Sequence, residues 1–285
     1  MTPRKGIPSL QQMKQEGQKI IMLTAYDYPM ARLLDPFVDI LLVGDSLGCV
    51  IQGKSNTLQV TLDQMIYHSE MVVRGTEQSI IVGDMPFGTF HQSIDKTSEA
   101  AVRLMKEAGV HAVKIEGGQR SVKYIEALTQ VHIPVMGHIG LTPQSVNKFG
   151  GHKVQGRTEE EGQQILEDAL AVEEAGVFSV VLEGIPIDLA AKITEALKIP
   201  TIGIGAGPHC DGQVLVSYDM LGFNEFAAPM KFTKEYGVLR DVIRKGVQQY
   251  VEEVKTNLFP TALHGYKSSK KKENPTNDPS RLIAT

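Results

Sequence analysis

The feature that most constrains the fold is a regular alternation of short apolar runs with longer amphipathic segments. The apolar runs are rich in β-branched residues and end in small or polar ones, which is typical of strands buried on both faces of a parallel sheet. They span residues 19–26, 39–45, 79–84, 111–116, 133–138, 179–183 and 200–204. A weaker eighth strand is predicted at residues 225–228.

Helices are predicted between these strands, at residues 9–18, 61–74, 97–108, 158–175, 188–197 and 234–254. Ser9 with Gln12 and Thr61 with Gln64 have the spacing of capping boxes, and Gly109 and Gly176 mark helix ends. Seven or eight strand–helix units predict an α/β fold, a single-domain (β/α)8 TIM barrel with a short N-terminal helix. A doubly wound open sheet is the alternative.

Two segments do not fit this alternation of strands and helices. Residues 141–157 form a loop that is longer than a strand–helix connection needs, which indicates a lid or binding loop. Residues 263–285 are basic and poor in apolar side chains, so we expect a disordered tail after a barrel domain at residues 1–262.

Composition excludes several classes of partner. The 29 basic and 33 acidic side chains leave a net charge of −4, which gives no general attraction to nucleic acid or anionic membranes. No apolar run is long enough to cross a bilayer, and the N-terminus is too polar for a secretory signal. Cys49 and Cys210 form neither a zinc pattern nor a disulfide framework. We therefore expect a cytoplasmic protein.

The strand ends carry the residues that point to chemistry, because active sites of such barrels form at the carboxyl ends of the strands. These residues are Asp45, Ser46, Asp84, Lys114, Glu116, His138 and Glu183. Several buried carboxylates in one place require a cation, and hard oxygen ligands without a cysteine or histidine cluster favour Mg²⁺. Asp45, Asp84 and Glu116 are the candidate ligands. The alternative is that Asp45 and Asp84 cap helices.

Lys114 and Glu116 lie two residues apart on one strand, so both side chains point into the barrel. Lys114 would bind a substrate carboxylate or form a Schiff base, or it would only pair with Glu116. His138 is either functional or a hydrogen-bonded core residue. Glu183 is a candidate general base, or else one more acid around the metal.

The glycine-rich run at residues 202–212 follows the seventh strand and lacks the dinucleotide fingerprint. It would bind phosphate or simply form a tight turn with positive φ at Gly205 or Gly207. Together, a metal, a lysine and a carboxylate base suit enolisation of an oxo acid, followed by attack of the enolate on an electrophile.

Nine segments, in order over residues 7–260, resemble the ketopantoate hydroxymethyltransferase family. They include MLTAYDYPMA (22–31), LLVGDSLG (41–48), VGDMPFGT (82–89), VKIEGG (113–118), MGHIGLTPQSVNKFGG (136–151) and LEGIP (182–186). The resemblance implies a Mg²⁺-dependent barrel that transfers a one-carbon unit from 5,10-methylenetetrahydrofolate to 2-oxoisovalerate, giving ketopantoate for pantothenate synthesis. It also implies a homo-oligomer, commonly a decamer of two pentameric rings.

The same resemblance implies individual roles. Asp45 and Asp84 would bind the metal, and Glu116 would hold a metal-bound water. The oxo acid would be bound by Ser46, Lys114 and the metal, together with the two aspartates. His138 would line the oxygen side of the substrate. Glu183 would remove its C3 proton.

Two features depart from the family pattern. His152 stands where we expect an aromatic residue, which affects the shape of the predicted lid, and the lysine-rich tail has no counterpart. Two other functions stay open: a related metal-dependent C–C lyase resembling isocitrate lyase, and a barrel without catalytic activity.

Overall fold

Eight parallel strands form a closed barrel in which each strand pairs with its sequence neighbours and the last strand pairs with the first. The computed structural model describes residues 4–224 and 230–268. The strands are β1 Ile20–Thr24, β2 Ile40–Val43, β3 Ile80–Asp84, β4 Ala112–Glu116, β5 Val135–Gly140, β6 Ser179–Glu183, β7 Thr201–Ile204 and β8 Gly212–Leu215. The seven stronger strand predictions and the barrel are confirmed, and the open sheet is wrong because this sheet has no edge.

Helices separate the strands. They are α1 Ile7–Gln15, α2 Tyr28–Leu34, α3 Leu47–Val50, α4 Leu62–Arg74, α5 Ile94–Arg103, α6 Val122–Gln130, α7 Val146–Phe149, α8 Glu159–Glu174, α9 Ile187–Ala196, α10 Ser217–Met220 and α11 Leu239–Lys255. The capping box of Thr61 and Gln64 at the start of α4 is confirmed. The predicted box of Ser9 and Gln12 is wrong, because α1 begins two residues earlier and the Ser9 hydroxyl donates to the Gly6 carbonyl.

The barrel interior is filled by alternate residues of the strands, because successive side chains of a strand point to opposite faces. This inner cluster contains Ile20, Met22, Ile40, Leu42, Ile80, Val82, Ala112, Met136, Val181, Ile202 and Val214. Leu10 of α1 belongs to the same cluster and is 1% exposed, so α1 closes the amino-terminal end of the barrel. A second, larger cluster packs the outer faces of the strands against the surrounding helices.

The eighth strand differs from the prediction. Residues 225–228 lie outside the described residues, and the strand that closes the barrel is β8, which follows the glycine-rich run. Its side chains alternate between buried Val214 and exposed Gln213, so β8 has no continuous apolar run. The sequence did not predict β8, because the pattern of a strand buried on both faces does not apply to it.

The described residues from 239 to 268 belong to a second compact unit, and the barrel belongs to the first unit, which ends at residue 238. In this second unit, six apolar side chains of α11 recur at spacings of three and four residues and are exposed, whereas Leu239 at its start is half-buried. The six are Val242, Ile243, Val247, Tyr250, Val251 and Val254. Across the described ranges, no helix is both long and apolar enough to cross a membrane. The predicted domain boundary after residue 262 stays a prediction, and residues 269–285 of the tail lie outside the described residues.

Candidate active site

Polar side chains continue the inward-facing columns of the barrel at the carboxyl ends of the strands. On β3, for example, Asp84 follows Ile80 and Val82 on the same face. The residues that occupy this upper level are Asp84, Lys114, Glu116, His138 and Glu183. All are buried except Glu183, whose side chain is 14% exposed. The structure therefore brings together the strand-end residues that the sequence predicts.

Lys114 is the cationic centre of this level. Its Nζ lies 2.5 Å from Asp84 Oδ1 and 4.0 Å from Glu116 Oε1. Burial alone would lower the pKa of Lys114, but the negative charges of Asp84, Glu116 and Asp45 outweigh burial and raise it. A Schiff-base lysine needs a neutral amine, so this environment disfavours that alternative and favours an ammonium that binds anions.

Asp45 and Ser46 join the site from the loop after β2. The backbone N–H of Asp45 donates to Asp84 Oδ2 at 3.0 Å, and the Ser46 hydroxyl lies 2.9 Å from the Tyr26 hydroxyl. Burial raises the pKa of Asp45 well above its usual range, and the charges of Asp84 and Glu116 raise it further. Burial also raises the pKa of Asp84, although the Lys114 ammonium opposes this.

The alternative that these two aspartates cap helices is wrong. The residue that precedes α3 is Ser46, which makes no capping hydrogen bond, and the side chain that caps α5 belongs to Ser93. The Asp84 carboxylate instead accepts the backbone N–H of Asp45 and pairs with Lys114, and the Asp45 carboxylate accepts from the side-chain amide of Gln144.

His138 lies between two carboxylates. Its Nδ1 is 3.4 Å from Glu116 Oε1, and its Nε2 is 3.1 Å from Glu183 Oε2. Burial and the Lys114 charge lower the pKa of His138, but the hydrogen bonds to Glu116 and Glu183 prevail and raise it to about 9. The pKa of Glu116 is lowered, because His138, Lys114 and a backbone N–H outweigh the effect of burial. His138 is thus both hydrogen-bonded and part of the polar cluster.

Gln144, which sequence reasoning did not single out, is also part of the site. It lies in the long loop after β5 and is buried, with its side-chain amide 3.0 Å from Asp45 Oδ2 and its backbone N–H 3.0 Å from Glu116 Oε2. A glutamine in a predicted loop carries no periodic or compositional signal. The one available hint is that it lies in the loop that follows β5, the strand that carries His138.

A cavity of about 890 Å³ opens above the polar cluster. The inner residues Asp45, Asp84, Lys114, Glu116, His138 and Glu183 all line it. Its outer wall includes Cys49, Lys54, Phe223 and Phe232, and the loop at residues 141–157 contributes Pro143 and His152. The loop therefore borders the cavity, as expected of a binding loop, and its role as a lid stays a prediction.

The glycine-rich run forms a turn. Gly205 and Gly207 have φ of +63° and +82°, the left-handed region that favours glycine. Phe232 packs against Gly205, where a Cβ would lie 2.8 Å from its ring. The tight-turn alternative is thus confirmed, and phosphate binding stays a prediction.

The cluster fits a divalent cation by charge and by donor type. Four carboxylates, those of Asp45, Asp84, Glu116 and Glu183, surround one ammonium and one imidazolium, so two negative charges are uncompensated when all the acids are ionised. Carboxylate oxygens are the ligands that Mg²⁺ prefers. Among the described residues, no three His, Cys, Asp or Glu side chains form a ready-made metal site. The Asp84 carboxylate, for example, pairs with Lys114.

The closed barrel and the acid–base cluster at its carboxyl end define a (β/α)8-barrel enzyme. Solved structures of this architecture are similar to the chain at low sequence identity. One is 2,3-dimethylmalate lyase, with a TM-score of 0.56 and 17% identity over 94% of this chain and 91% of that one. Another is phosphonopyruvate hydrolase in complex with oxalate and Mg²⁺, with a TM-score of 0.58 and 10% identity over 88% of this chain and 87% of that one. These likenesses concern the fold.

Sequence relatives are far closer. The chain is 54% identical to the 3-methyl-2-oxobutanoate hydroxymethyltransferase of Pelobacter propionicus over 93% of this chain and 98% of that protein. It is 49% identical to the enzyme of the same name from Clostridioides difficile, over 92% of this chain and 96% of that protein. The model of the ketopantoate hydroxymethyltransferase family matches residues 4–262. The chain belongs to the ketopantoate hydroxymethyltransferase family, which confirms the resemblance and excludes a barrel without catalytic activity.

Proposed function

We propose that the chain transfers a hydroxymethyl group from 5,10-methylenetetrahydrofolate to 3-methyl-2-oxobutanoate (2-oxoisovalerate). With water, the products are 2-dehydropantoate (ketopantoate) and tetrahydrofolate, a step of pantothenate biosynthesis. The observation that carries this proposal is the set of four carboxylates, a lysine and a histidine at the base of a cavity of about 890 Å³, all buried except Glu183, in a chain of this family.

We propose Asp45 and Asp84 as ligands of Mg²⁺ and Glu116 as the acid that holds a metal-bound water. When bound, Mg²⁺ supplies Lewis-acid polarisation of a carbonyl and stabilises the negative charge of an enolate. The raised pKa of both aspartates follows from burial without enough positive charge nearby, and a cation would remove this imbalance.

Three groups would bind the oxo acid. Lys114, buried and charged, would attract its carboxylate, and the Ser46 hydroxyl, held by Tyr26, would hydrogen-bond to an oxygen. His138, whose two ring nitrogens face Glu116 and Glu183, would line the oxygen side of the substrate. Donors that are already oriented add little reorganisation cost when charge develops on the substrate oxygen.

Glu183 is the proposed base that removes the C3 proton. It is the cluster's most exposed carboxylate, and it faces the cavity while the His138 ring orients it at 3.1 Å. The resulting enolate carbon would bond to the one-carbon unit of the folate. The cavity is much larger than an oxo acid of this size, so its outer part has room for the pterin, whose contacts we do not assign.

Proton exchange at C3 tests the proposal directly. The protein is incubated with 3-methyl-2-oxobutanoate and Mg²⁺ in D₂O without folate, and the C3 proton is followed by NMR. We expect exchange that EDTA abolishes, and ketopantoate once the folate donor is added. Exchange only after folate is added would mean that enolisation waits for the donor. Neither exchange nor product would contradict the proposed function.

Glu183→Gln tests the assignment of the base. A positioned general base contributes about 10²–10⁴ in rate, so the variant should lose this factor in C3 exchange while 3-methyl-2-oxobutanoate still raises its melting temperature. Glu126→Gln, the same change on an exposed side chain of α6, is the matched control. Near-normal exchange in Glu183→Gln would assign proton abstraction to another group.

We also propose a cytoplasmic homo-oligomer, a decamer of two pentameric rings, without a nucleic-acid or membrane partner. The exposed apolar stripe of α11 supports assembly, because such a stripe is unfavourable in water on an isolated chain. Sedimentation equilibrium tests the oligomer, and a monomer at micromolar concentration would contradict it.

A further inference from the structure

Gln144 makes three hydrogen bonds within the polar cluster, all as a donor. Its side-chain Nε2 donates to Asp45 Oδ2 and to the Met85 carbonyl, each at 3.0 Å. Its backbone N–H donates to Glu116 Oε2 at 3.0 Å. One loop residue thus contacts both Asp45, a proposed metal ligand in the loop after β2, and Glu116 at the end of β4, the acid proposed to hold a metal-bound water.

The orientation of this amide follows from its partners. The Met85 carbonyl only accepts hydrogen bonds, so the NH₂ group must face it and the amide oxygen must point away from it. That oxygen, Gln144 Oε1, is buried and has no hydrogen-bond partner among the described residues. An acceptor buried without a donor costs free energy, and such an atom in a folded protein indicates a missing partner.

A hydrated cation would supply that partner. Mg²⁺ gives up its waters reluctantly and usually keeps several of them in a protein site. A cation bound by Asp45 and Asp84, with one of its waters held by Glu116, would therefore bring water, a hydrogen-bond donor, close to the residue that already orients Asp45 and Glu116. The unpartnered oxygen and the three donated hydrogen bonds point to the same role for Gln144.

We propose that Gln144 is a positioning residue of the cation site: it aligns Asp45 and Glu116, and it ties the loop at residues 141–157 to them. This inference rests on the proposed metal ligands. Residues that orient metal ligands typically contribute about 10–100-fold to metal affinity or activity. Because coupling between two events is reciprocal, cation binding should in turn order the loop.

Gln144→Met tests the first part, because methionine keeps the length of the side chain and removes both amide donors while the backbone N–H remains. Mn²⁺ alone is the probe, and EPR of the free ion gives its affinity. We expect binding about 10–100-fold weaker than in the wild type, and C3 exchange that recovers at high Mn²⁺. Gln163→Met is the matched control, since the exposed Gln163 amide also donates to a carboxylate, that of Glu167, at 3.2 Å.

The possible outcomes separate this inference from the proposed function. Wild-type protein that fails to bind Mn²⁺ would overturn the metal site itself. Wild-type affinity in a folded Gln144→Met variant would overturn only the role of Gln144. Thermal unfolding without metal shows whether the variant is folded.

A second measurement needs no variant. Hydrogen exchange of the wild-type backbone should slow within residues 141–157 when Mn²⁺ is added, more than in the exposed helix α8. Unchanged exchange in the loop at saturating Mn²⁺ would refute the tie between the loop and the cation site.

Discussion

Replacing Lys114 by methionine should make the stability of the barrel depend on pH and on metal. Lys114 Nζ lies 2.5 Å from Asp84 Oδ1 and 4.0 Å from Glu116 Oε1, and all three side chains are 4% exposed. Removing one partner of a buried ion pair typically costs about 3–5 kcal/mol, because the remaining charge stays buried. For a chain of this size, this corresponds to a melting temperature lower by about 6–20 °C.

The loss of stability in Lys114→Met should be largest at high pH. Asp45 and Asp84 have raised pKa values, so the folded protein holds their protons more tightly than the unfolded chain does. Loss of the Lys114 ammonium raises the pKa of Asp84 further. Stability of the variant therefore falls as pH rises through these values and recovers as the acids are protonated. Lys114 itself has a raised pKa, so its own contribution is present in full at pH 8.

Thermal unfolding at pH 5 and pH 8, with and without millimolar Mg²⁺, is the assay. Lys14→Met is the matched control, since Lys14 lies 2.8 Å from Asp211 in a pair away from the proposed metal ligands. We expect Mg²⁺ to raise the melting temperature of Lys114→Met by more than that of the wild type, and to leave the Lys14→Met deficit unchanged. The electrostatic account of the cluster would be refuted if Lys114→Met lowered the melting temperature equally at both pH values. It would also be refuted if Mg²⁺ did not raise the melting temperature of this variant.

Two further predictions concern His138 and α1. The pKa of His138 is raised from 6.5 to about 9, so its contribution to stability is complete below about pH 6.5 and is lost as pH rises through about 9. Urea unfolding of wild type and His138→Gln should differ at pH 6 and converge at pH 10; the same difference at both would contradict this pKa. Leu10→Ala should cost about 2–5 kcal/mol in urea unfolding, because Leu10 is 1% exposed at the closed end of the barrel. A cost below about 1 kcal/mol would mean that α1 does not seal the barrel.

Most of the site could be predicted from the sequence, because a parallel barrel places the last residues of its strands at one level. Asp84, Lys114 and Glu116 end apolar runs whose alternate residues fill the barrel interior. Once the runs are assigned as strands, the alternation of successive side chains between the two faces determines which of them point inward. The same rule extends to His138 and Glu183 on the next two strands.

Gln144 and β8 escaped prediction because neither carries a local signal. The loop that contains Gln144 has no repeating pattern, and only the folded structure shows that its amide reaches Asp45. β8 is four residues long and places one large apolar side chain, Val214, in the barrel interior. It is a strand because β1 and β7 offer hydrogen-bonding partners on both sides, and this is a tertiary cause.

The charges of the cluster meet two opposing requirements. Four carboxylates without Lys114 and His138 would repel one another strongly enough to threaten folding without metal, since buried charges need compensation. A third positive side chain would halve the remaining negative charge that attracts a divalent cation. With all four acids ionised, the Lys114 ammonium and a protonated His138 leave two negative charges, and the raised pKa values of Asp45 and Asp84 let protons offset them until a cation binds. Because Lys114 and a cation would both be drawn to Asp84, removal of the lysine should strengthen metal binding even as it weakens the fold.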